Sequence, residues 1–500
     1  MNNATTPCAL PALTADFLRS ASCLVDNLFA DLWKQVGISA LLTRCGFRKR
    51  SGVSLDQVMY CLMMWVWLKS GSIGMFARES LKTFCNASKD VLYEAMNRED
   101  WNWRSLHAGI AHKAAQALNS ATTGTAFILD DSIKERHGKK MPGISSHFDH
   151  TTGRKVMGQQ VLTLGLSCDE GFIPLDNELF ISQSKAQGLD SAFADGRSIV
   201  GKRYSTAKNQ TKPQMARAML SRALRAGLKA DYLIADAWFG TKQMIGVAQD
   251  ALLVAIFRMK KNLMKYRYTP VSATQQCESV ELDVCTLYQS AVRKQWEKMP
   301  GQPYESKVLD VELNLNESTD KKQRWVKVRL LFVRGLVQPG GAQPGKHDWA
   351  VFLTTDCHLS PQKIVELYSL RWAIEVYFKE VKQHLGFLTE QARHYACYVA
   401  SIHLASIRFC LLVIAKQQHQ SAGIGLPEMR KQISTNITNI DFASRLWLVF
   451  RALISGALDE LKMVLCDAYD LVMSTIDQHV NRFFMQALQL DPFQLRLEAK

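Results

Sequence analysis

The sequence predicts an α/β protein, helical at both ends, whose mixed strand and helix core is interrupted by a β-rich insertion. Three observations carry this. Ala126–Leu129 and Tyr232–Ala235 are short apolar runs that each lead into aspartate, the pattern of buried strands whose ends meet solvent. Between about 262 and 346, strand-like segments alternate with turn-rich text such as Met299-Pro300-Gly301-Gln302-Pro303. Finally, Ser360 to Gly386 carries the marks of one helix: Ser360 as N-cap, Pro361 at the first helical position and Gly386 at a left-handed exit.

Taken in order, residues 1–120 read as helical, with helical patterning over Thr14–Val36 and Leu55–Lys69 and a break at Ser70-Gly71-Ser72. Met75–Phe84 and Lys89–Met96 are shorter units about Asn86-Ala87-Ser88, with Ser88 as a possible cap. That spacing suits a helix-turn-helix and equally a helical packing region. Arg44, Arg48, Lys49 and Arg50 add a basic cluster.

Residues 121–262 form the first part of the core. Val156–Ser167 and Phe172–Leu175 read as a hairpin about Asp169-Glu170-Gly171, and Pro213–Lys229 as a helix with an apolar row of Leu220, Leu224 and Leu228. Leu252–Phe257 reads as a further strand. Residues 263–346 are the insertion, with strands expected at Ser279–Leu287, Ser306–Leu315 and Trp325–Val333. Residues 347–394 return to the core through Trp349–Leu353 and the Ser360–Gly386 helix. Residues 395–500 read as helices over Tyr395–Gln417, Asp441–Ile454 and Ala457–Met473, the last two parted at Ser455-Gly456.

Net charge is +15 with a pI near 9.2, which favours an anionic partner. The charge is uneven: Arg197–Ala230 holds nine basic and no acidic residues, and Ala251–Cys277 holds five and none. Such stretches suit a phosphate track. The twelve cysteines show no metal-binding spacing and suit buried thiols in a reducing compartment. No signal peptide is evident, and the longest unbroken apolar run, Val58–Leu68, is too short to span a bilayer. The expectation is a cytoplasmic protein without a membrane partner.

On the Ser360–Gly386 helix, Leu367, Leu370, Ile374, Phe378, Val381 and Leu385 form the apolar stripe. Beside it Tyr368, Arg371, Glu375 and Lys382 fall within roughly 60° of one another at about 100° per residue. The spacing Tyr-x2-Arg-x3-Glu-x6-Lys resembles the signature of the DDE transposases of bacterial insertion sequences, specifically the insertion sequence 4 type; Trp372 and Phe378 also suit that pattern. The resemblance implies a ribonuclease H-like core, a β-rich insertion before the glutamate, and a helical DNA-binding domain over residues 1–120 that takes the transposon end. It also implies three metal-binding acids, with Tyr368, Arg371 and Lys382 on the phosphates of a transposon end.

Asp131, Asp236 and Glu375 are the expected catalytic and metal-binding acids, holding two Mg²⁺ ions, or Mn²⁺ as substitute. Asp130 competes with Asp131, because strand alternation points only one of them at a metal. The family habit of an acid directly before Ser or Thr favours Asp131. Lys134, Arg136, Lys139 and Lys140 after the first acid, and Arg258 and Lys260 after the second, are expected on DNA. Trp238 and Trp325 suit either stacking on an unpaired base or core packing. His137, His147 and His150 are too irregular for a metal site.

The function so implied is cut-and-paste transposition: cleavage at terminal inverted repeats and joining to target DNA, with a homodimer in the DNA complex and second-strand cleavage through a hairpin. A metal-dependent nuclease without strand joining, and a catalytically silent DNA-binding derivative, are the alternatives.

Overall fold

The computed structural model describes residues 28–68, 70–118, 124–138, 140–149, 153–183, 193–270, 278–290, 296–316, 323–336, 348–418 and 423–460. The chain opens with helices α1 (Leu28–Val36), α2 (Ile38–Arg44) and α3 (Leu55–Met64), the last running into a 3₁₀ turn over Trp65–Leu68. Then come α4 (Ile73–Glu79), α5 (Leu81–Phe84), α6 (Asp90–Met96) and α7 (Trp103–Ala117). Ser54, Ser72 and Asn102 cap α3, α4 and α7 through their side chains. Ser88 does not cap α6, whose N-cap is Lys89; it donates to Asp90 instead. Leu92, Ala95 and Met96 turn α6 into the core.

The core sheet begins with β1 (Ala126–Glu135), β2 (Ser145–Asp149), β3 (Arg154–Cys168) and β4 (Gly171–Phe180). Helices α8 (Ile199–Asn209) and α9 (Lys212–Arg225) lead to β5 (Tyr232–Ala235), α10 (Lys242–Asp250) and β6 (Val254–Arg258). β3 pairs antiparallel with β1 on one edge and with β4 and β2 on the other, while β1, β5 and β6 run parallel. The buried row of α9 is Met215, Ala216, Met219, Leu220 and Ala223; of the three leucines expected only Leu220 is in it, since Leu224 is exposed and Leu228 lies past the helix end.

The insertion supplies β7 (Lys265–Tyr268), β8 (Val280–Asp283), α11 (Val284–Ser290), β9 (Glu297–Lys298), β10 (Tyr304–Asn314) and β11 (Trp325–Gly335), before β12 (Trp349–Thr354) returns. The strand expected over Ser279–Leu287 stops at Asp283, whose carboxylate accepts from the Cys285 and Thr286 amides at 3.0 Å and starts α11. Among the described residues the insertion is no separate sheet: β6 pairs with β12, β12 with β11 and β11 with β10, extending one twelve-stranded sheet.

The Ser360–Gly386 segment is two helices, α12 (Pro361–Ser369) and α13 (Trp372–His384). Ser360 caps α12 and Gly386 exits α13 at φ +75°, as expected. At Leu370 and Arg371 the bonds tighten to i−3, Leu370 to Leu367 and Arg371 to Tyr368, which pinches the helix one turn before Glu375.

Beyond it, α14 (Tyr395–Gln418) is buried from Tyr395 to Ala415, packed on α7 and β4. It is the one described helix long and apolar enough to cross a membrane, yet it forms the protein's own centre. α15 (Leu426–Glu460) begins before Asp441 and passes Ser455-Gly456 without a break. Helix there is kept through a residue pair that reads as a stop. The rest of the expected final helix, and residues 14–27 of the first, lie outside the described residues.

Candidate active site

β1 is longer than its apolar run predicts. Only Ala126–Leu129 pair with β5; from Asp130 onward the strand is held by β3 alone. β5 ends at Ala235, opposite Leu129, so Asp130 and Asp236 are the next positions on two neighbouring parallel strands. The acids therefore stand where the sheet opens, not at a free strand end. Trp238 closes the loop after β5, its amide donating to Asp236 Oδ1 at 2.9 Å. Gly240 lets that loop lie on β6, since a Cβ there would meet the Arg258 carbonyl at 2.6 Å.

Three contacts seat α13 and the turn before it, one on the sheet and two on α14. Ser167 of β3 donates to the Leu370 carbonyl at 3.2 Å, and the Tyr377 and Ser406 hydroxyls meet at 2.7 Å. Buried Arg408 donates to the Leu385 carbonyl at 2.7 Å and to the Met63 carbonyl at 2.9 Å, joining the end of α13 to α3. Arg371 and Lys382 of the polar row then reach β1. Arg371 Nη1 lies 3.0 Å from Asp130 Oδ2, and its Nη2 pairs with Glu375 Oε1. Lys382 Nζ donates to the Ile133 carbonyl at 3.0 Å. Tyr368 packs edge-on to Phe352, its ring 5.8 Å from the Arg371 guanidinium, and burial raises its hydroxyl pKa.

Asp130 and Asp131 face opposite ways, as alternation requires. Asp130 turns toward α13 and Arg371. Asp131 turns toward α9: Lys212 Nζ is 2.6 Å from its Oδ2 and Gln160 Nε2 is 2.5 Å from its Oδ1. The sequence favours Asp131 as the partner of Glu375; the structure joins Asp130 to Glu375, through Arg371. Burial, then the charges of Asp236 and Asp131, push the Asp130 carboxyl up to about 7, with Arg371 opposing. Burial also raises Asp236, against the amide of Trp238. Among the described residues no three His, Cys, Asp or Glu side chains converge as a metal cluster. Glu375 is instead turned onto Arg371.

Asp130, Asp131 and Asp236 open into a cleft of about 590 Å³ whose wall includes Ser132, Phe148, Lys212, Trp238 and Lys382. Lys134 is half-buried on the Asp130 side of β1 and, after burial, is the main cause of the lowered pKa of Lys382. Arg258 and Lys260 are exposed at the acid end of β6, with Lys260 Nζ 5.7 Å from the Trp238 ring. Lys140 is exposed, and Lys139 lies outside the described residues. Arg136 is interior, donating to Gln159 and to the Leu388 carbonyl.

Trp325 is not brought to the acids. β11 pairs Arg334 with Trp349, at the acid end of β12, and Arg329 with Thr354. Trp325 therefore lies about 17 Å along the strand from the level of Ala235, toward the opposite edge. There Arg267 covers its ring at 3.3 Å. At the acid end the insertion's Tyr288 stacks at 4.2 Å on Trp349 of the core strand β12.

The basic stretch over 197–230 is partly internal. Arg203 pairs with Glu178 at 3.1 Å and Arg222 with Asp176 at 2.7 Å, while Lys212 takes Asp131; Lys202, Lys208, Arg225 and Lys229 are exposed. Lys212 and Gln160 escape sequence reasoning. One signal for Lys212 was present: a lysine in a first helical turn opposes the helix dipole and calls for a fixed anionic partner.

With this geometry in place, the chain is similar to two families. The one described as DDE superfamily endonuclease matches residues 70–278, and the one described as Transposase DDE domain matches residues 191–408. Together they support a DDE transposase or DDE nuclease, a nucleic-acid-cleaving enzyme whose partner is DNA. No curated protein matches the chain. Among solved structures, the NurA nuclease from Sulfolobus solfataricus aligns at 10% identity with a TM-score of 0.23, covering 52% of this chain and 81% of that one. A likeness that slight carries no argument.

Proposed function

We propose that this chain is a cut-and-paste DNA transposase of the insertion sequence 4 type. In this reading it cleaves DNA at terminal inverted repeats and joins the freed 3′-hydroxyl to target DNA, acting as a homodimer on the DNA. The observation that carries the reading is the single guanidinium of Arg371 bridging Asp130 and Glu375 beside Asp236. Three acids of different elements, joined to a Tyr-Arg-Glu-Lys row, are what the resemblance implies. The strand order β4, β3, β1, β5, β6 fits a ribonuclease H-like core.

Asp130, Asp236 and Glu375 are then the acids that would hold divalent cations. The donor set fits: carboxylate oxygens suit Mg²⁺ or Mn²⁺, and the raised Asp130 and Asp236 carboxyls mark a surplus of buried negative charge that a cation relieves. Two such ions, when bound, supply an activated attacking oxygen and a stabilised leaving oxygen. The chain's own groups do the rest. Lys382 on the cleft wall and Arg371 between Asp130 and Glu375 serve as phosphate contacts, Tyr368 orients Arg371, and Lys134, Arg258 and Lys260 extend the cationic rim.

Incubation with the DNA flanking its own gene, with and without Mg²⁺ or Mn²⁺, tests the proposal. Cation-dependent cleavage at the element's ends is expected, followed by joining of a pre-cut end to a target plasmid. Cleavage without joining leaves the nuclease reading, which the endonuclease description of the first family favours. Binding without either reaction leaves the silent derivative.

A further inference from the structure

Lys212 is a buried cation inside the cleft to which the reading above gives no duty. Its side chain is 6% exposed, in the first turn of a 14-residue helix. The reciprocal Thr211–Gln214 capping box and Pro213 fix that turn, so the lysine is held in place from its own backbone. Its ammonium lies 2.6 Å from Asp131 Oδ2, 4.1 Å from the Trp238 ring and 5.2 Å from the Phe180 ring. One charge thereby grips β1, the end of β4 and the loop after β5.

The gripped residues are neighbours of the two strand acids. Asp131 follows Asp130 and donates its amide to Asp130 Oδ1 at 2.8 Å. Trp238 follows Asp236 by two and donates its amide to Asp236 Oδ1. Both carboxylate oxygens of Asp131 are already taken, one by Lys212 and one by Gln160. We propose that Lys212 is a positioning residue: by clamping Asp131 and the Trp238 ring it sets the spacing of the Asp130 and Asp236 carboxylates, and it keeps Asp131 out of cation binding. The inference rests on Asp130, Asp236 and Glu375 being the cation-binding acids.

Two readouts on the full chain bound to the DNA flanking its own gene test this: calcium affinity by calorimetry, and cleavage rate in Mg²⁺. Lys212→Met should weaken calcium binding roughly 10-fold to 100-fold, the range for lost partners that orient ligands. Cleavage should fall about 100-fold, as for a misplacement of about 1 Å. Asp131→Asn keeps an oxygen that accepts from Lys212, so the clamp survives and calcium affinity should stay within about threefold. Trp238→Leu combined with Lys212→Met should be no worse than Lys212→Met alone, because both act through one clamp.

Should Lys212→Met fail to fold, Lys212→Arg keeps the charge but not the seat between the rings, and should lose calcium affinity in the same direction. Unchanged calcium affinity in the folded variant, with only a lower melting temperature, overturns the proposal. So does an Asp131→Asn variant that loses calcium as completely as Asp130→Asn, which would make Asp131 a ligand and Lys212 its stand-in. If Asp130→Asn itself binds calcium and cleaves normally, the underlying assignment of acids has failed, and the clamp loses its purpose with it.

Discussion

Asp130→Asn should make the cation-free protein more stable at alkaline pH while abolishing cleavage. The folded carboxyl titrates at about 7 against an ordinary 3.8. Below about pH 4 both folded and unfolded chains are protonated there, and the site carries no penalty. Between about 4 and 7 the folded chain holds a proton that the unfolded chain has released, so rising pH favours unfolding. Above 7 the penalty is complete, on the order of 4 kcal/mol for about three units. Asparagine does not titrate and escapes it; the attraction of Arg371 is already contained in the raised carboxyl, so it is not subtracted again. The expectation is a gain of up to about 4 kcal/mol at pH 8 in EDTA. At pH 4 the gain should vanish or reverse. Urea unfolding of both proteins at several pH values measures the difference directly. A difference that does not change with pH, or one that moves against the variant as pH rises, would refute the electrostatic account of the cleft.

Four further outcomes are expected. Glu375→Gln should lose cleavage and keep DNA binding, since bulk is retained; cleavage near the unmodified rate would remove Glu375 from the acid set. Lys382→Ala should lower the salt slope of DNA affinity by about 0.9, the value of one phosphate contact. A slope left unchanged would confine Lys382 to its bond with the Ile133 carbonyl. Trp325→Ala should leave DNA cleavage and hairpin handling intact, because its ring lies under Arg267 at the far end of β11; a specific hairpin defect would contradict that placement. Replacing Lys265–Lys346 by a short linker should leave a folded core detectable by circular dichroism and melting, because β6 and β12 pair directly. Failure to fold would mean that β11 is needed to cover the edge of β12.

Much of the site was legible because its signals are local. A capped helix with four polar residues on one side needs only its own periodicity, and an apolar run before an aspartate needs only burial. What was not legible depends on pairing between distant segments. Which of Asp130 and Asp131 stands level with Asp236 turns on where β5 stops beside β1, which neither strand's text contains. The misplaced Trp325 is a matter of strand polarity: once β12 runs antiparallel to β6, the start of β11 points away from the acids. The inward turn of Arg203, Lys212 and Arg222 was hidden because their acids sit on β4 and β1, outside the acid-free stretch. Likewise α14 looks like an ordinary tail helix until α7 and β4 are seen to cover it.

The same pairing explains why the cleft lies where it does. In a continuous sheet each strand is held on both edges, and a charge at mid-strand would be buried without relief. β1 escapes this because β5 is four residues long and leaves it at Leu129. From there β3 alone carries β1 forward for six residues, so Asp130 is rigidly held on one edge and open on the other. That combination suits a group that must be both buried enough to keep water out and exposed enough to meet a phosphate. Arg371 reaches the opening from the pinched turn between α12 and α13, and the pinch brings the guanidinium and Glu375 to it together. A regular helix through Leu370 would keep the sequence spacing of the row but rotate Tyr368 relative to Glu375. The irregularity is therefore part of the site, and straightening it should separate the phenol from the guanidinium it now accompanies.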